Sequence, residues 1–518
     1  MRSVRYLLRY LQSLHNPGKT QEKVLRSILR KNRYTVYGKK YGFHTIRSSA
    51  EYQERVPLVT YSDISPYMQR MTSGEKHVLT SFDVVHFCAT SGTSGTKKFL
   101  PVTSERIQAL RTELYVRGLR ARKIFKGNWK VIFGPILYIC GSYQEGFTES
   151  GIPYGSISGF LGKHAPKISR DKYAIPIEVF KELDYDKKLS EMAYYALLAD
   201  LKHLGFTTTI EVLLIFDYIE EHAEELLQRI EQTHPRRARY LRRLPSMTPK
   251  YIWPNIKLAN CFLTETTKAY MKVLEERLDR PIHMRDAGIN SSEGRITLGV
   301  CEDDISGLPV AFNTFFEFID QEDSQRILTL EQVEVGKTYE VVMTTYEGLY
   351  RYRTGDILEV TYFENRLPAF KFRMRTSYLD IVGELSPEED LITAFHELID
   401  EHGYAVEGFA YIPWIPQGEG KPRYELLVEP APDQPIAESD WRALAHKLDL
   451  LLQKRIHDYY QMRKIFGRMD ELIISLLKPG SWKSFNLNRL VTVGQPKHIH
   501  VVCDAAFRQH FTIEKTLI

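Results

Sequence analysis

Hydrophobic residues recur along the chain at two spacings, one typical of helices and one typical of strands. The first helical stripe contains Leu189, Met192, Ala193, Ala196, Leu197, Leu201 and Leu204. The second contains Trp441, Leu444, Leu448, Leu451, Leu452, Ile456 and Tyr459, and it follows a predicted N-cap at Ser439. Runs rich in β-branched and aromatic residues predict strands at 84–88, 130–133, 310–319, 338–345, 357–362 and 424–428. Strands mixed with helices of this length predict an α/β fold.

A polar turn at residues 364–368 and a short strand at residues 370–373 interrupt this pattern. The pattern that follows is typical of a smaller α+β unit, so we place a domain junction after Arg375. The sequence therefore predicts an N-terminal body of mixed sheets and helices, residues 1–375, and a C-terminal α+β domain, residues 376–518.

Composition excludes several classes of protein. Of 518 residues, 70 are Lys or Arg and 65 are Asp or Glu, and the net charge of +5 is too small to predict nucleic acid or membrane as the main partner. No apolar run reaches the roughly 18 residues of a membrane span. The five cysteines lie far apart without a CxxC pair, which indicates a reducing compartment, and we expect a cytoplasmic monomer. The basic N-terminal segment that ends at Asn16-Pro17-Gly18 could be a docking helix or a transit peptide, and we favour the helix.

The segment Thr90-Ser91-Gly92-Thr93-Ser94-Gly95-Thr96-Lys97-Lys98 follows the strand-like run at 84–88. Its glycines let backbone N–H groups turn inward, its hydroxyls donate hydrogen bonds and its lysines supply positive charge. This combination suits polyphosphate oxygens. It is not a Walker A loop, because the GxxxxGK[ST] spacing is absent. A flexible surface loop has the same composition, so the segment alone leaves both interpretations open.

Two further segments combine charged and small residues. In Leu349–Asp356, the carboxylate of Asp356 is predicted to lie in a tight turn between two strands, where it could accept from both hydroxyls of a ribose. An ordinary β-turn aspartate is the alternative. In Ile289-Asn290-Ser291-Ser292-Glu293-Gly294, the glutamate could bind Mg²⁺ and the serines could reach phosphate or carboxylate oxygens. A helix N-cap serine with an acidic first turn is equally compatible with this hexapeptide.

Together, and in this order, the three segments resemble motifs of the acyl-adenylate-forming superfamily. Thr90–Lys98 is similar to its phosphate loop, [ST]SG[ST]TGxPK, and Tyr352–Asp356 carries its Tyr-Arg-Thr-Gly-Asp motif intact. The resemblance narrows to the auxin-responsive promoter family, the acyl acid amido synthetases, and runs from about Gln21 to about Val502. The stretches that carry it include Tyr37-Gly38, Lys40-Tyr41-Gly42-Phe43, Glu51-Tyr52-Gln53, Val56-Pro57, Pro66-Tyr67, Trp253-Pro254-Asn255 and Gly348–Arg353.

The resemblance implies a large acyl-adenylate-forming body and a small mobile C-terminal domain. It implies that ATP, with Mg²⁺, activates a small carboxylic acid as an acyl-adenylate, and that the amine of an amino acid then forms an amide and releases AMP. The implied roles are phosphate contacts for Ser91, Gly92, Thr93, Ser94 and the catalytic Lys98, contacts to the α-phosphate or acyl carboxylate for Ser291 and Ser292, Mg²⁺ binding for Glu293 and ribose binding for Asp356.

A second implied catalytic lysine lies near the C-terminus. The stretch Gly494-Gln495-Pro496-Lys497 is similar to the family's Asn-Gln-Tyr-Lys, so Lys497 is the candidate that bridges the acyl carboxylate and the α-phosphate. Lys483 is the fallback, and a solvated strand-end lysine is the alternative. Arg375 resembles the basic hinge residue that touches the ribose, and Arg373 competes for that role. If Lys497 acts only in the first step, the small domain must rotate before the amine enters.

Two positions depart from the family pattern. Ile289-Asn290 stands where the family has an aromatic residue that stacks on adenine, and Pro496 stands where it has tyrosine. The sequence therefore does not identify the residue that packs against the adenine ring. The acyl pocket is expected to be lined from residues 194–216 and 312–318.

Two other functions stay open. An acid–thiol ligase of the same superfamily would deliver the acyl group to coenzyme A. A non-catalytic basic module would bind through Arg236, Arg237, Arg239, Arg242 and Arg243. The glutamates that precede these arginines favour ion pairing on a solvated helix over such a module.

Overall fold

The computed structural model describes residues 2–517 apart from 91–97, 125–133, 183, 207–208, 264, 300–304, 324, 376–377, 417–419, 433–436, 483 and 486–499. Within the described helices and strands, the side chains at 2–6, 90, 118–124, 185, 209–210, 265–270, 374–375 and 389 also lie outside the description. The described chain forms two compact units. One comprises residues 2–90 and 98–373, and the other comprises residues 374–517. The junction predicted from the sequence follows Arg375.

The α-helices are α1 Arg2–His15, α2 Pro17–Asn32, α3 Val36–Lys40, α4 Ser49–Arg55, α5 Tyr61–Thr72, α6 Ser104–Ile124, α7 Ile157–His164, α8 Lys167–Arg170, α9 Tyr185–Leu198, α10 Thr209–Glu221, α11 Ala223–Thr233, α12 Pro235–Leu241, α13 Pro249–Ile252, α14 Glu265–Leu278, α15 Glu388–His402, α16 Glu438–Arg455 and α17 His457–Tyr460. No described helix combines the length and the apolar composition needed to cross a lipid bilayer.

The strands are β1 Val84–Thr90, β2 Lys98–Thr103, β3 Ile136–Tyr138, β4 Gly146–Phe147, β5 Pro153–Gly155, β6 His203–Gly205, β7 Leu258–Cys261, β8 His283–Asp286, β9 Thr297–Gly299, β10 Gly307–Pro309, β11 Phe315–Asp320, β12 Ile327–Leu328, β13 Thr338–Thr344, β14 Tyr352–Glu364, β15 Leu367–Arg375, β16 Tyr378–Leu379, β17 Ser386–Pro387, β18 Val406–Trp414, β19 Arg423–Pro430, β20 Ile473–Leu477 and β21 Ile513–Leu517. They form sheets in the orders β2-β1-β5-β4, β3-β6-β7-β8, β12-β11-β13-β14-β15-β10-β9, β16-β17 and β18-β19-β20-β21.

The sheet β3-β6-β7-β8 is parallel throughout. Its strands share an apolar cluster with α9, α10 and α14, which includes Leu197, Phe216 and Leu274. Burial of this kind is typical of parallel sheets, since their crossover helices cover the strands. Because parallel strands end at the same edge, the segments that follow β3, β6, β7 and β8 meet there.

The seven-stranded sheet contains β11 and β13, which are buried along almost their whole length. One of its buried polar contacts is the ion pair between Glu317 and Arg351, 2.9 Å apart and almost fully buried. The Arg351 Nη1 also donates to the carbonyl oxygens of Gln53 and Val56, each at 2.8 Å. Arg351 has a positive φ of 48° and precedes β14. These contacts therefore fix the start of the Tyr-Arg-Thr-Gly-Asp segment against α4.

The second unit is built on the sheet β18-β19-β20-β21, with α15 and α16. Its core includes Phe395, Tyr411 and Trp441, each at most 2% exposed. A buried carboxylate, Asp449, accepts from the Tyr459 hydroxyl at 2.6 Å and pairs with Arg463 at 2.8 Å. This network ties α16 to the chain that follows it.

The predicted α/β class is confirmed, and several local predictions need correction. The helical stripes end earlier than predicted, because α9 ends at Leu198 and α16 at Arg455, and Leu204 belongs to a buried strand instead. The N-cap of α16 is Ala437, since the hydroxyl of Ser439 donates to Asp440 beside it and caps no backbone group.

The predicted strand at 310–319 is interrupted. Asn313 and Thr314 both donate to the carbonyl oxygen of Val310, and this turn delays the strand until Phe315. The predicted strand at 130–133 lies outside the described residues. The predicted end of the first helix at Asn16 is confirmed, and Pro17 begins the next helix.

Candidate active site

The carboxyl edge of the parallel sheet is where α/β proteins usually bind ligands. Here β8 ends at Asp286 and leads directly into the Ser-Ser-Glu segment. The two Asp286 oxygens accept from the backbone N–H groups of Leu263 and Gly288 at 3.0 and 2.9 Å. Burial raises the pKa of Asp286 to about 6, although these two hydrogen bonds oppose the rise. Asp286 therefore fixes the path of the chain as it leaves the sheet.

The segment that follows is a tight hairpin and contains no helix. Asn290 and Arg295 form an isolated antiparallel bridge across it. Between them, the Ser291 backbone N–H and hydroxyl both donate to the carbonyl oxygen of Gly294, at 3.0 and 3.1 Å. The N-cap alternative for this hexapeptide is therefore wrong. Ser291, Ser292 and Glu293 are half-buried at the tip of the hairpin.

Three charged residues, Arg106, Glu113 and Arg117, form a stripe along one face of α6 at spacing i, i+7, i+11. Glu113 is 1% exposed and pairs with Arg295 at 2.9 Å and with Arg106 at 3.3 Å. Arg106 also donates to the Oδ1 of Asn290 at 3.3 Å. The stripe therefore holds both arms of the hairpin against α6.

Lys98 is the first residue of β2 and pairs in register with Thr90, so the phosphate-loop motif begins and ends at this pair. Tyr61 supports the base of the motif, since its hydroxyl accepts from the Phe99 backbone N–H at 2.8 Å and its ring lies 5.6 Å from the Lys98 Nζ. Burial raises the pKa of the Cys88 thiol on β1, Arg106 lowers it and Glu293 raises it further. Both charged groups thus lie within electrostatic reach of the strand that leads into the motif.

A small cavity lies between these elements. Its lining includes Glu105 and Arg106 from α6, Gly294 from the hairpin, and Thr345 and Glu347 from the turn that follows β13. Burial raises the pKa of Glu347, and the guanidinium group of Arg106 opposes the rise. Arg106 is therefore the cation that these elements share.

Asp356 lies inside β14, at a bulge, and the predicted turn between two strands is wrong. Residues 354–356 oppose only Val341 on β13, because the register passes from Glu340–Ile357 to Val342–Arg353. Gly355 supplies the positive φ of 76° that the bulge requires. Asp356 is 3% exposed, and its backbone N–H donates to the Thr354 hydroxyl at 3.1 Å. A bulge of this kind re-aims a side chain that regular alternation would place on the other face.

The same strand, β13, contacts both motifs. The carbonyl oxygen of Val341 accepts from the Thr354 hydroxyl at 2.9 Å. Two residues further along, the Met343 Cε lies 3.0 Å from the position that a Cβ on Gly294 would occupy. Asp356 and the Ser-Ser-Glu hairpin are thus neighbours of one strand.

Several predicted site residues lie outside the described part of the chain: Ser91, Gly92, Thr93, Ser94, Lys483 and Lys497. Arg375 ends β15, and its side chain also lies outside the description. Ile289, at the predicted adenine seat, is 7% exposed and belongs to an apolar cluster, while Asn290 is engaged by Arg106. The described residues offer no adenine-stacking ring at these two positions.

A metal site is not assembled by the described side chains, since they contain no group of three or more acidic, His or Cys residues that could hold an ion. Glu293 is a single carboxylate in the hairpin. Magnesium usually binds through one or two carboxylates together with substrate phosphates and water, so a single glutamate fits its requirements where a bound phosphate supplies further ligands.

The charged stripe of α6 is what sequence reasoning missed. In the sequence alone, nothing distinguishes these residues, Arg106, Glu113 and Arg117, from ordinary charges on an exposed helix. Their spacing on the first helix after the phosphate-loop motif was the available signal, because it places all three on one face.

Two of the five arginines discounted as a binding module have partners in the same unit, and for Arg242 these partners are the predicted glutamates. Arg242 pairs with Glu224 at 3.0 Å and with Glu231 at 3.3 Å. Arg237 donates to the backbone carbonyl oxygens of Leu197 and Ala199.

The chain is similar to known proteins over most of its length. The GH3 family N-terminal domain matches residues 7–280, and the GH3 family central domain matches residues 308–375. The indole-3-acetic acid-amido synthetase GH3.2 of Arabidopsis thaliana is 27% identical over 446 residues, which are 74% of this chain and 79% of that protein. The probable indole-3-acetic acid-amido synthetase GH3.11 of Oryza sativa subsp. japonica is 29% identical over 542 residues, 90% of each chain.

A solved structure shares the fold. The AtGH3.15 acyl acid amido synthetase in complex with 2,4-DB superposes with a TM-score of 0.64 at 21% identity, over 100% of this chain and 97% of that one. The N-terminal family domain alone spans more than half of the sequence. The family predicted from the motifs is thereby confirmed, and the chain belongs to the GH3 family.

Proposed function

We propose that this protein is an ATP-dependent acid–amino acid ligase. It activates a small carboxylic acid as an acyl-adenylate with release of pyrophosphate, and then transfers the acyl group to the amine of an amino acid. Family membership supports this reaction, since related members are named amido synthetases. One observation of the structure carries the proposal. The Ser-Ser-Glu hairpin leaves the carboxyl edge of the parallel sheet and is tied by Arg106 to the helix that follows the phosphate-loop motif.

In the first step a carboxylate oxygen attacks the α-phosphorus of ATP, and the bond from that phosphorus to pyrophosphate breaks. Two anions must approach each other, so positive charge and oriented donors are the main requirement. Lys98, at the end of the phosphate-loop motif, supplies this charge, and Arg106 on the following helix holds the Ser-Ser-Glu hairpin in position. Ser91, Gly92, Thr93 and Ser94 are the proposed donors to the phosphate oxygens.

Further residues are proposed to orient the nucleotide. Ser291 and Ser292 would contact the α-phosphate or the acyl carboxylate, and Asp356 would accept from the ribose hydroxyls. Arg375 assists at the ribose. Glu293 would hold Mg²⁺, which when bound neutralises phosphate charge.

In the second step the amine nitrogen attacks the acyl carbon, the bond to the AMP oxygen breaks, and the nitrogen loses a proton to solvent. Lys497 is proposed to bridge the acyl carboxylate and the α-phosphate only in the first step. Rotation of the C-terminal domain would then remove it and admit the amine. A cytoplasmic location and a monomeric state are further proposals from the sequence.

Isotope exchange between pyrophosphate and ATP tests the first step. Exchange that depends on an added carboxylic acid is expected, and its absence across a broad acid panel would count against the proposal. Product mass after addition of amino acids or coenzyme A then distinguishes an amide from a thioester.

A substitution tests the division between steps. Lys497→Ala is expected to abolish exchange while aminolysis of a supplied acyl-adenylate stays within about twofold of the wild type. Lys478→Ala, at an exposed lysine of the same unit, serves as the matched control and should leave both half-reactions intact. Equal loss of both half-reactions in the Lys497 variant would contradict the role given to this lysine.

A further inference from the structure

The far end of the α6 stripe meets a second arginine. Arg117 donates through Nη2 to the Oδ1 of Asn260 on β7. Arg285, on β8, donates through Nη2 to the backbone carbonyl oxygen of Arg117 at 2.7 Å. Asn260 and Arg285 are register partners in the parallel sheet. The two guanidinium groups therefore lie close together, between α6 and the edge of the sheet.

Neither guanidinium group forms an ion pair with a carboxylate of the described residues. Two acids lie within electrostatic reach. Asp286 raises the pKa of both arginines and Glu113 raises that of Arg117, so these carboxylates oppose the effect of burial. The same two carboxylates also have other partners. Both oxygens of Asp286 accept from backbone N–H groups, and Glu113 pairs with Arg106 and Arg295.

The nearby phenol offers no negative charge either. Burial raises the pKa of Tyr138 far above neutrality, and Arg117 and Arg295 only oppose this rise. Its hydroxyl donates to the carbonyl oxygen of Ser158 at 2.9 Å. Among the described residues, Arg117 and Arg285 therefore have no carboxylate in an ion pair with them, and they share the electrostatic effect of Asp286.

Both arginines nevertheless stay charged at neutral pH. Burial lowers the pKa of Arg117 to about 9 and that of Arg285 to about 10. The Nε of each is buried and has no hydrogen-bond partner among the described residues. A buried cation with an unused donor is costly unless an anion meets it. Two such groups with their donors available form an arrangement that matches an oxyanion.

We propose that Arg117 and Arg285 bind a second anionic group of the acyl acid, a carboxylate or a similar oxyanion at the end opposite to the carboxylate that is activated. The inference rests on the proposed function and names the substrate class of that site, a dianionic acid. Arg106 and Arg117 are 11 residues apart on α6. This separation corresponds to about 16 Å along the helix. The anion at Arg117 is therefore distinct from the carboxylate that reacts beside Arg106.

Pyrophosphate exchange with matched acids provides the test. Each pair differs only in a terminal carboxylate: linear monocarboxylic acids of six to twelve carbons with the α,ω-dicarboxylic acids of the same length, and phenylacetate with 4-carboxyphenylacetate. We expect kcat/KM for at least one dianionic acid to exceed that of its partner by about 10- to 100-fold, the range of a buried charge-assisted hydrogen bond. Arg117→Gln and Arg285→Gln should each reduce this preference at least tenfold, and Arg117→Lys should retain part of it.

A control variant and a second readout separate binding from folding. Arg111→Gln removes an exposed arginine from the same helix and should keep the preference. In thermal unfolding, the preferred dicarboxylate should raise the Tm of the wild type more than its monocarboxylate partner does, because a ligand of the folded state stabilises it. This difference should disappear in Arg117→Gln and Arg285→Gln, whose own Tm without ligand reports their folding.

The test distinguishes failure of this inference from failure of the proposed function. Exchange in which monocarboxylates perform as well as every dicarboxylate overturns the inference and leaves the ligase standing. A preference that both glutamine variants retain overturns it as well. If no acid supports exchange, the proposed function fails, and the Tm difference alone then decides whether the arginine pair binds the second anion.

Discussion

The two ends of the charged stripe on α6 use the same residue type in opposite ways. At the first end, Arg106 and Arg295 share the buried carboxylate of Glu113, and the hairpin of Asn290 is attached to them. At the far end, the hydrogen bonds of Arg117 and Arg285 among the described residues go to neutral oxygens, and the Nε of each has no partner there. The guanidinium groups paired with Glu113 position other residues, whereas the pair without a carboxylate partner of its own is the one proposed to bind a ligand.

The two ends of the stripe also lie in different parts of the site. The end paired with Glu113 lies within electrostatic reach of β1, which leads into the phosphate-loop motif, and it contacts the Ser-Ser-Glu hairpin. The other end lies about three helical turns away and contacts β7 and β8. Under the two proposals, the stripe would divide the adenylation chemistry from the recognition of the acid.

The largest expected effect comes from removal of the shared carboxylate. Glu113→Ala should lower the free energy of unfolding by about 3–5 kcal/mol, because it leaves two buried guanidinium groups without their carboxylate partner. Urea unfolding measures this, and Glu224→Ala, at an exposed ion pair, is the control that should leave stability unchanged. If both variants unfold at the same urea concentration as the wild type, the first end is not held by Glu113.

A pH titration of stability tests the carboxyl group of Asp286. The pKa of Asp286 rises from 3.8 to about 6 in the folded state through burial, so the folded state holds this proton more tightly than the unfolded state. The contribution of Asp286 to the free energy of unfolding should therefore fall by about 3 kcal/mol as the pH rises from about 3 to about 7.

Asp286→Asn removes this titration and should flatten that part of the stability curve. The difference between the two proteins isolates the one carboxyl group from all others. Parallel curves for the two proteins would mean that an arginine neutralises Asp286, and the contrast between the two ends of the stripe would then disappear.

The smallest expected effect compares one arginine from each end of the α6 stripe directly. Without ligand, Arg106→Gln should lower the free energy of unfolding by about 1–3 kcal/mol, since it leaves Glu113 with one partner fewer. Arg285→Gln should leave it unchanged or raise it by up to about 1 kcal/mol, because it removes an unneutralised charge. Equal losses in the two variants would show that both arginines are structural.

Much of the fold and of the reaction could be predicted from the sequence. Strands such as β1, β13 and β19 carry dense β-branched and aromatic residues, and the Tyr-Arg-Thr-Gly-Asp motif is intact. The setting of Asp356 could not be predicted in this way. Alternation of side chains does not reveal that three residues of one strand oppose a single residue of the next, and only Gly355 hints at it.

The α6 stripe is a second feature that could not be predicted from the sequence. Charge is visible in a sequence, but burial and pairing depend on contacts with residues far along the chain, such as Asn260 and Arg285 for Arg117. The ends of helices were also missed, because the helical spacing of Leu197, Leu201 and Leu204 continues from α9 into β6. The roles of Lys497 and of residues 91–94 stay predictions.

A crystal structure with a non-hydrolysable acyl-adenylate analogue would test the candidate site most directly. The expected result is an α-phosphate mimic within hydrogen-bond distance of Ser292 and a ribose whose hydroxyls both donate to Asp356. A nucleotide bound away from the carboxyl edge of the parallel sheet, with neither residue in contact, would contradict the site described here.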